Sequence, residues 1–455
     1  MSGLPLSDPC ISFWQQTTRS FPYLNHNEDK PVPNASKYVV IGSGISGGLT
    51  AYKLIEDGVS GSDIVILEAR EAASGASSRN AGHVRPDAFR GFTTFKKLHG
   101  EEQAVKIIQN ERAVFHAVDD FVKKHGVQCD FNPTTTFDVC LTQEFADHNA
   151  QSLKAYQEAG GDVSHIKFYS GEEAQKKTGV KGALCAYEWP AGSSHPAKLS
   201  QWLLTQSIEK GATLYTHCPA TSVTKSSSSS ADETFWDVKT PRGTISTPTV
   251  IHCTNAFASH LLPQLSHFVN PERAQAHAFV PPAALTGTKI LPSTMSLRHG
   301  LKHFYSVCQR RADGVIIIGA ALSSPFVSEA TNIERLTTND RVVSEETRDD
   351  SVANFQNCFP DCKPEKLRRG EGLLHAWTGI IGMTPDMVPF IGKVDGSPGQ
   401  WVCAGFNGHG MARIFTCAPG LTKMILGGTW EETGLPECFA LTAERLEKLK
   451  ASQHE

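Results

Sequence analysis

The run Gly42-Ser43-Gly44-Ile45-Ser46-Gly47 has the spacing of a phosphate-binding turn. Gly42 allows a tight turn out of a strand, Gly44 lets a pyrophosphate approach the backbone, and Gly47 lets a helix sit close to that strand. The helix N-terminus then offers free N–H groups and the positive end of its dipole. Glu68 closes the following strand, where a carboxylate accepts hydrogen bonds from an adenosine ribose and repels a 2′-phosphate. The plainer alternative is a chance glycine turn with Glu68 as a surface charge. The full strand–turn–helix–strand context argues against it.

The next stretch bears on which dinucleotide is held. An NAD dehydrogenase would continue in regular β-α units. Here Glu68 is followed by Ala69, Arg70 and then Gly75-Ala76-Ser77-Ser78-Arg79-Asn80-Ala81-Gly82. This dense supply of backbone N–H and hydroxyl donors suits a pyrophosphate and ribityl chain, and Gly75 and Gly82 permit close approach. The expectation is FAD.

The elements that position these groups follow from patterning. Residues 37–41 and 64–70 are short β-branched runs of the kind buried in parallel sheets, and 49–56 has helical spacing between them. Residues 1–35, with Pro31 and Pro33, read as an extended lead-in that either wraps over the body or dangles from it. A long amphipathic helix covers 99–126, short strands and another helix fill 130–190, and Ser226 to Ser230 make a hairpin tip. A net charge of −4 offers no positive field for nucleic acid, and no apolar run is long enough to span a bilayer. The N-terminus lacks a signal-peptide pattern and the twelve cysteines lack zinc-site spacing, so a reducing, cytoplasmic setting without a bound metal is expected.

Five ordered segments together resemble the D-amino-acid-oxidase-like FAD-dependent oxidoreductases, most closely the branch containing gamma-glutamylputrescine oxidase and fungal relatives. They are the glycine run, the 75–82 loop, residues 253–257 (CTNAF) with residues 375–392 (HAWTGIIGMTPDMVPFIG), and residues 404–411 (AGFNGHGM). Ala81 departs mildly from the family's glycine. The resemblance implies an α/β fold: a Rossmann-type FAD domain plus a sheet-based substrate domain. The FAD domain is expected from 36–100, 190–260 and 366–435, the substrate domain from 101–189 and 261–365, with an extension at 1–35 and a tail at 436–455. It also implies cofactor contacts from Val223, Thr254, Asn255, Ala256, Gly379, Gly405, Asn407, Gly408, His409, Gly410 and Met411, the last turn facing the flavin pyrimidine.

Candidates bordering the flavin are His83, Arg85, Tyr305, Trp377 and His409. Arg85 either grips a substrate carboxylate or pairs with a structural acid; His83 faces the substrate or is a structural histidine. His195 is expected near the domain boundary. The segment before the T-x-D block contains no cysteine, so FAD is expected to be non-covalent, with His83 a remote attachment candidate. Ala412 stands where the sarcosine-oxidase branch has a lysine, which argues against sarcosine or glycine as substrate. The implied reaction is oxidation of an amine or amino acid to an imine by hydride transfer to N5, with O2 giving H2O2. The alternatives are a biosynthetic flavoenzyme acting on a larger intermediate with cyclisation, and a flavin-binding scaffold or sensor without turnover.

Overall fold

The computed structural model describes residues 3–230 and 233–451. The first sheet has six strands in the order Phe390–Lys393, Gln400–Ala404, Thr249–His252, Tyr38–Ile41, Ile64–Leu67, Thr213–Tyr215. All neighbours are parallel except the Phe390–Lys393 edge. Its strands are buried on both faces, which is why they read as continuous apolar runs. Val40 and Ile66 face a helical layer with Leu49, Leu203 and Leu421, whereas Val39, Ile41, Val65 and Leu67 face a three-stranded antiparallel meander through Val238 and Ile245. The expected serine-rich tip joins two meander strands, Ser222–Lys225 and Trp236–Thr240.

The second large sheet has nine strands. Its main path runs Gly372–Met383, Asn270–Val280, Ile316–Gly319, Phe304–Gln309, Thr294–Arg298, Asn132–Cys140, Cys185–Ser193, His83–Val84. One register row across its middle is small: Ala276 pairs with Gly319, Gly319 with Ser306, and Ser306 with Ser296. A Cβ on Gly319 would lie 2.3 Å from Ser306 Oγ, so this row stays low and leaves space above the sheet. The opposite face packs Phe137, Val139, Leu297, Tyr305 and Phe355 into a separate core.

Sheet membership corrects the expected domain boundaries. Strand Gly372–Met383 lies within the 366–435 piece assigned to the FAD domain, yet it pairs along its length with Asn270–Val280 of the large sheet. Helix Glu101–His125, expected in the substrate domain, packs on the parallel-sheet side, where Phe121 meets Phe415 at 5.4 Å. The 436–451 portion of the tail is docked: Leu441 donates its N–H to Ile391 and Arg445 pairs with Asp386 at 2.8 Å.

Of the two alternatives for the lead-in, its described residues pack over the body. Ser12 caps the short helix Phe13–Gln16 and donates its hydroxyl to the Ser78 carbonyl at 2.5 Å. Trp14, fully buried, donates Nε1–H to the Asn80 carbonyl at 2.7 Å, and Arg79 reaches back to the Cys10 carbonyl at 2.6 Å. Trp14→Ala is expected to destabilise the protein by about 3–5 kcal/mol, because a buried indole is lost and the surroundings relax only in part. Thermal or denaturant melts of the two proteins measure it.

Candidate active site

A cavity of about 1260 Å³ lies between the two sheets. At one end are Leu4, Pro5, Glu68, Ala69, Arg70, Pro219 and Ala220; along its length run Gly42, Gly44, Ile45, Ser46 and the 75–81 loop. The other end holds His83, Arg85, Phe304, Ser306 and the terminal turn Asn407, Gly408, His409, Gly410, Met411. Thr254, Asn255, Ala256 and Gly379 line it as well.

The glycine turn has the close contacts its sequence demands. Gly42 has φ +108°, and a Cβ on it would stand 2.5 Å from the Cys253 carbonyl oxygen. Gly47 faces the strand rather than the cavity, where a Cβ would fall 1.9 Å from the Gly42 oxygen. Ser43 is also turned inward: its hydroxyl donates to Glu68 Oε2 at 2.6 Å and accepts from the Ala73 N–H at 2.8 Å. Glu68 further accepts from the backbone N–H of Ser43 and Arg70, which fixes it at the cavity wall. Oε1 carries a single such bond and keeps acceptor capacity for a hydroxyl.

Loop 75–82 is tied from behind. Besides the lead-in contacts, Arg79 donates to the carbonyls of Ser74 and Thr378 at 2.8 Å each, and Trp377 donates Nε1–H to the Arg79 carbonyl at 2.8 Å. With its carbonyls and guanidinium engaged backwards, the loop presents Gly75, Ala76, Ser77, Asn80 and Ala81 to the cavity. Ser78 and Gly82 point away from it; a Cβ on Gly82 would meet the Trp14 ring at 3.0 Å. Asn255 Oδ1 accepts from the N–H of Gly405 and Phe406, and Asn407 exchanges hydrogen bonds with Thr384, holding the terminal turn. Gly405 supports that turn at φ +78° without lining the cavity, since its Cβ position is 2.7 Å from Thr384.

Three further expectations need correction. Tyr305 points to the opposite face of its strand and donates to Asp350 at 2.6 Å; its neighbours Phe304 and Ser306 face the cavity. Trp377 is fully buried behind the 75–82 loop against Phe13 and Trp14. Val223 sits on the meander, and the cavity wall nearby is Pro219 and Ala220. His195 caps helix Pro196–Glu209 through Nδ1 and meets Thr17 Oγ1 at 2.9 Å, a structural role.

Arg85 does pair with an acid, and the acid was not legible beforehand. Asp138, fully buried, accepts from Arg85 at 2.5 Å and Arg298 at 2.9 Å, with Arg90 at 3.4 Å. Asp87 holds Arg90 from the other side at 3.0 Å. Burial raises the Asp138 pKa, but the three guanidiniums outweigh it and hold the carboxyl well below its usual range. Burial, and then repulsion from Arg90, push Arg298 down to about 9. Three guanidiniums thus face two carboxylates, leaving a positive remainder where Arg85, Arg90 and Arg298 line the cavity. His83 lines the same region; burial and Arg85 lower its pKa to about 3, and neither ring nitrogen has a protein partner.

The fold and this cavity define a two-sheet dinucleotide-binding oxidoreductase. The chain belongs to the DAO family of FAD dependent oxidoreductases, whose profile it matches over residues 37–424. It is 22% identical to the probable oxidoreductase OrdL of Haemophilus influenzae, over 91% of this chain and 89% of that protein. It is 20% identical to gamma-glutamylputrescine oxidoreductase of Escherichia coli, over 85% and 83% respectively. Its fold matches the crystal structure of L-proline dehydrogenase from P. horikoshii with a TM-score of 0.70 at 19% identity, covering 93% of this chain and 100% of that one. The residues present fit FAD. The helix N-terminus and Glu68 suit an adenosine pyrophosphate, the cavity continues past the 75–81 loop, and the unpartnered Thr254 hydroxyl and His83 nitrogens lie along it.

His409 sits at the far end, its Nδ1 3.3 Å from Glu111. Glu111 is fully buried and also accepts from Arg413 and from the Asp87 N–H. Burial raises its pKa, but His409 and Arg413 outweigh this and bring it from an ordinary 4.5 to about 2. A depressed carboxyl stabilises the fold fully above its unfolded pKa and loses that contribution as pH falls towards the folded one. Acid titration between pH 4.5 and 2 is expected to remove on the order of 3 kcal/mol through Glu111. In Glu111→Gln this increment is absent from the pH dependence of stability, although the variant starts less stable because Arg413 loses its partner.

Proposed function

We propose that the protein is an oxidase of amino acids or N-substituted amino acids, using non-covalently bound FAD and passing electrons to O2 in a reducing cytoplasmic setting. The observation that carries this is the positive remainder around Asp138, a buried site suited to one further anion such as a substrate carboxylate. Bound FAD supplies a hydride acceptor, N5, and returns the electron pair to O2.

The chain's own residues account for substrate binding and protonation state. Arg85 and Arg298 would orient the carboxylate, while Ser296 Oγ, accepting from Arg85 at 2.5 Å, fixes the guanidinium plane. The same positive field disfavours an ammonium beside it, so the amine is held neutral, as loss of the α-hydrogen as hydride requires. His83 stays neutral at physiological pH and adds no charge; one of its nitrogens can accept the amine N–H. The small row Ala276, Gly319, Ser306 and Ser296 leaves room for a planar ring over the sheet. In the balanced reaction the substrate loses one α-hydrogen as hydride and one nitrogen proton. It becomes an imine that water hydrolyses, and O2 becomes H2O2.

Oxygen uptake and peroxide release test this with a panel of amino acids, N-methyl amino acids, γ-glutamyl amines and simple amines. Carboxylate-bearing compounds are expected to turn over with one peroxide per O2. Arg85→Gln is expected to raise KM for them by roughly 30-fold or more, about the 2 kcal/mol lost with a buried charge-assisted bond. An amine lacking the carboxylate, turned over as well as its amino-acid counterpart, would refute the assignment.

A further inference from the structure

The outer part of the cavity differs chemically from the cationic inner part. Just past Arg298 the chain forms a hairpin tip and returns as Phe304, whose ring lies 4.0 Å from the Arg298 guanidinium carbon. The Ser323 N–H bonds the Lys302 carbonyl, which lays the following segment along that tip. Helix Glu329–Ile333 and Leu336 extend the same wall. Four apolar side chains, Leu301, Leu322, Ile333 and Leu336, line the cavity here. Leu301, Ile333 and Leu336 are 46%, 60% and 68% exposed. Apolar groups clustered at the mouth of a functional cavity gain free energy when a ligand covers them. The nearby charges Glu272 and Arg335 satisfy each other at 3.5 Å.

We infer that the substrate is a carboxylate-bearing amine with an extended apolar substituent, alkyl or aryl. Its charged end meets the Arg85 and Arg298 pair, and its apolar end lies against Leu301, Leu322, Ile333 and Leu336. This rests on the amino-acid reading above and narrows it. A polyamine or γ-glutamyl extension would find polar partners such as Lys302 and Glu329 between these side chains but would leave the four apolar groups without an apolar complement.

The test uses FAD-loaded protein and straight-chain carboxylates from acetate to octanoate, read by perturbation of the flavin spectrum without turnover. The dissociation constant is expected to fall with each added methylene, by up to the roughly fourfold limit of complete burial. The double variant Ile333→Ser, Leu336→Ser, altered only at exposed positions, is expected to flatten that dependence. Binding that is independent of chain length in the unaltered protein overturns this inference and leaves the anion site standing. A slope as steep in the double variant as in the unaltered protein also overturns it, because Ile333 and Leu336 would then not touch the ligand. If no carboxylate perturbs the flavin, the anion site itself fails, and this inference with it.

Discussion

Asp138 is the charge on which the substrate end of the cavity depends. Three guanidiniums converge on its carboxylate: Arg85 just after strand His83–Val84, Arg90 in the turn five residues on, and Arg298 at the end of the distant strand Thr294–Arg298. Burying so many charges is costly unless each is paired, and removing one partner leaves the others exposed to that cost. The cluster therefore fixes strand His83–Val84, the Asp87–Gly91 turn and strand Thr294–Arg298 relative to one another. Because the pairing does not reach neutrality, the same cluster that holds the sheet together leaves a net positive charge at the cavity wall, on which the proposed anion site rests.

The cofactor end depends on a different device. Loop 75–82 has little apolar surface of its own, so its order comes from outside: Ser12 and Trp14 hold its carbonyls, and Arg79 anchors it to Cys10 and Thr378. The lead-in between Leu4 and Trp14 belongs to the flavin site in this sense, and Leu4 and Pro5 reach the cavity wall directly. Cofactor affinity and the docking of the lead-in are linked, since whatever orders the loop lowers the entropic cost of binding.

Much of the cofactor site was legible because it is local. The glycine turn, Glu68 and the small-residue loop lie within about forty consecutive residues, and each has a steric or donor requirement visible in one short window. The acids at the substrate end were not legible, since Asp138 and Glu111 matter only through partners that the fold brings in from elsewhere. A signal existed: Asp138 stands between Phe137 and Val139 in a strand, so it occupies the face opposite to an apolar core. Tyr305 illustrates the reverse difficulty. Its strand does line the cavity, but side chains alternate along it, and only the register shows that Phe304 and Ser306 face the cavity. Trp377 shares that strand-level placement, yet the lead-in covers it.

The most direct measurement is the anaerobic absorbance of the FAD-loaded protein mixed with amino acids carrying an apolar side chain or N-substituent. The account predicts that such a compound bleaches the visible flavin band and that air restores it. A bound flavin that none of these compounds reduces, but that a carboxylate-free amine does reduce, would contradict it.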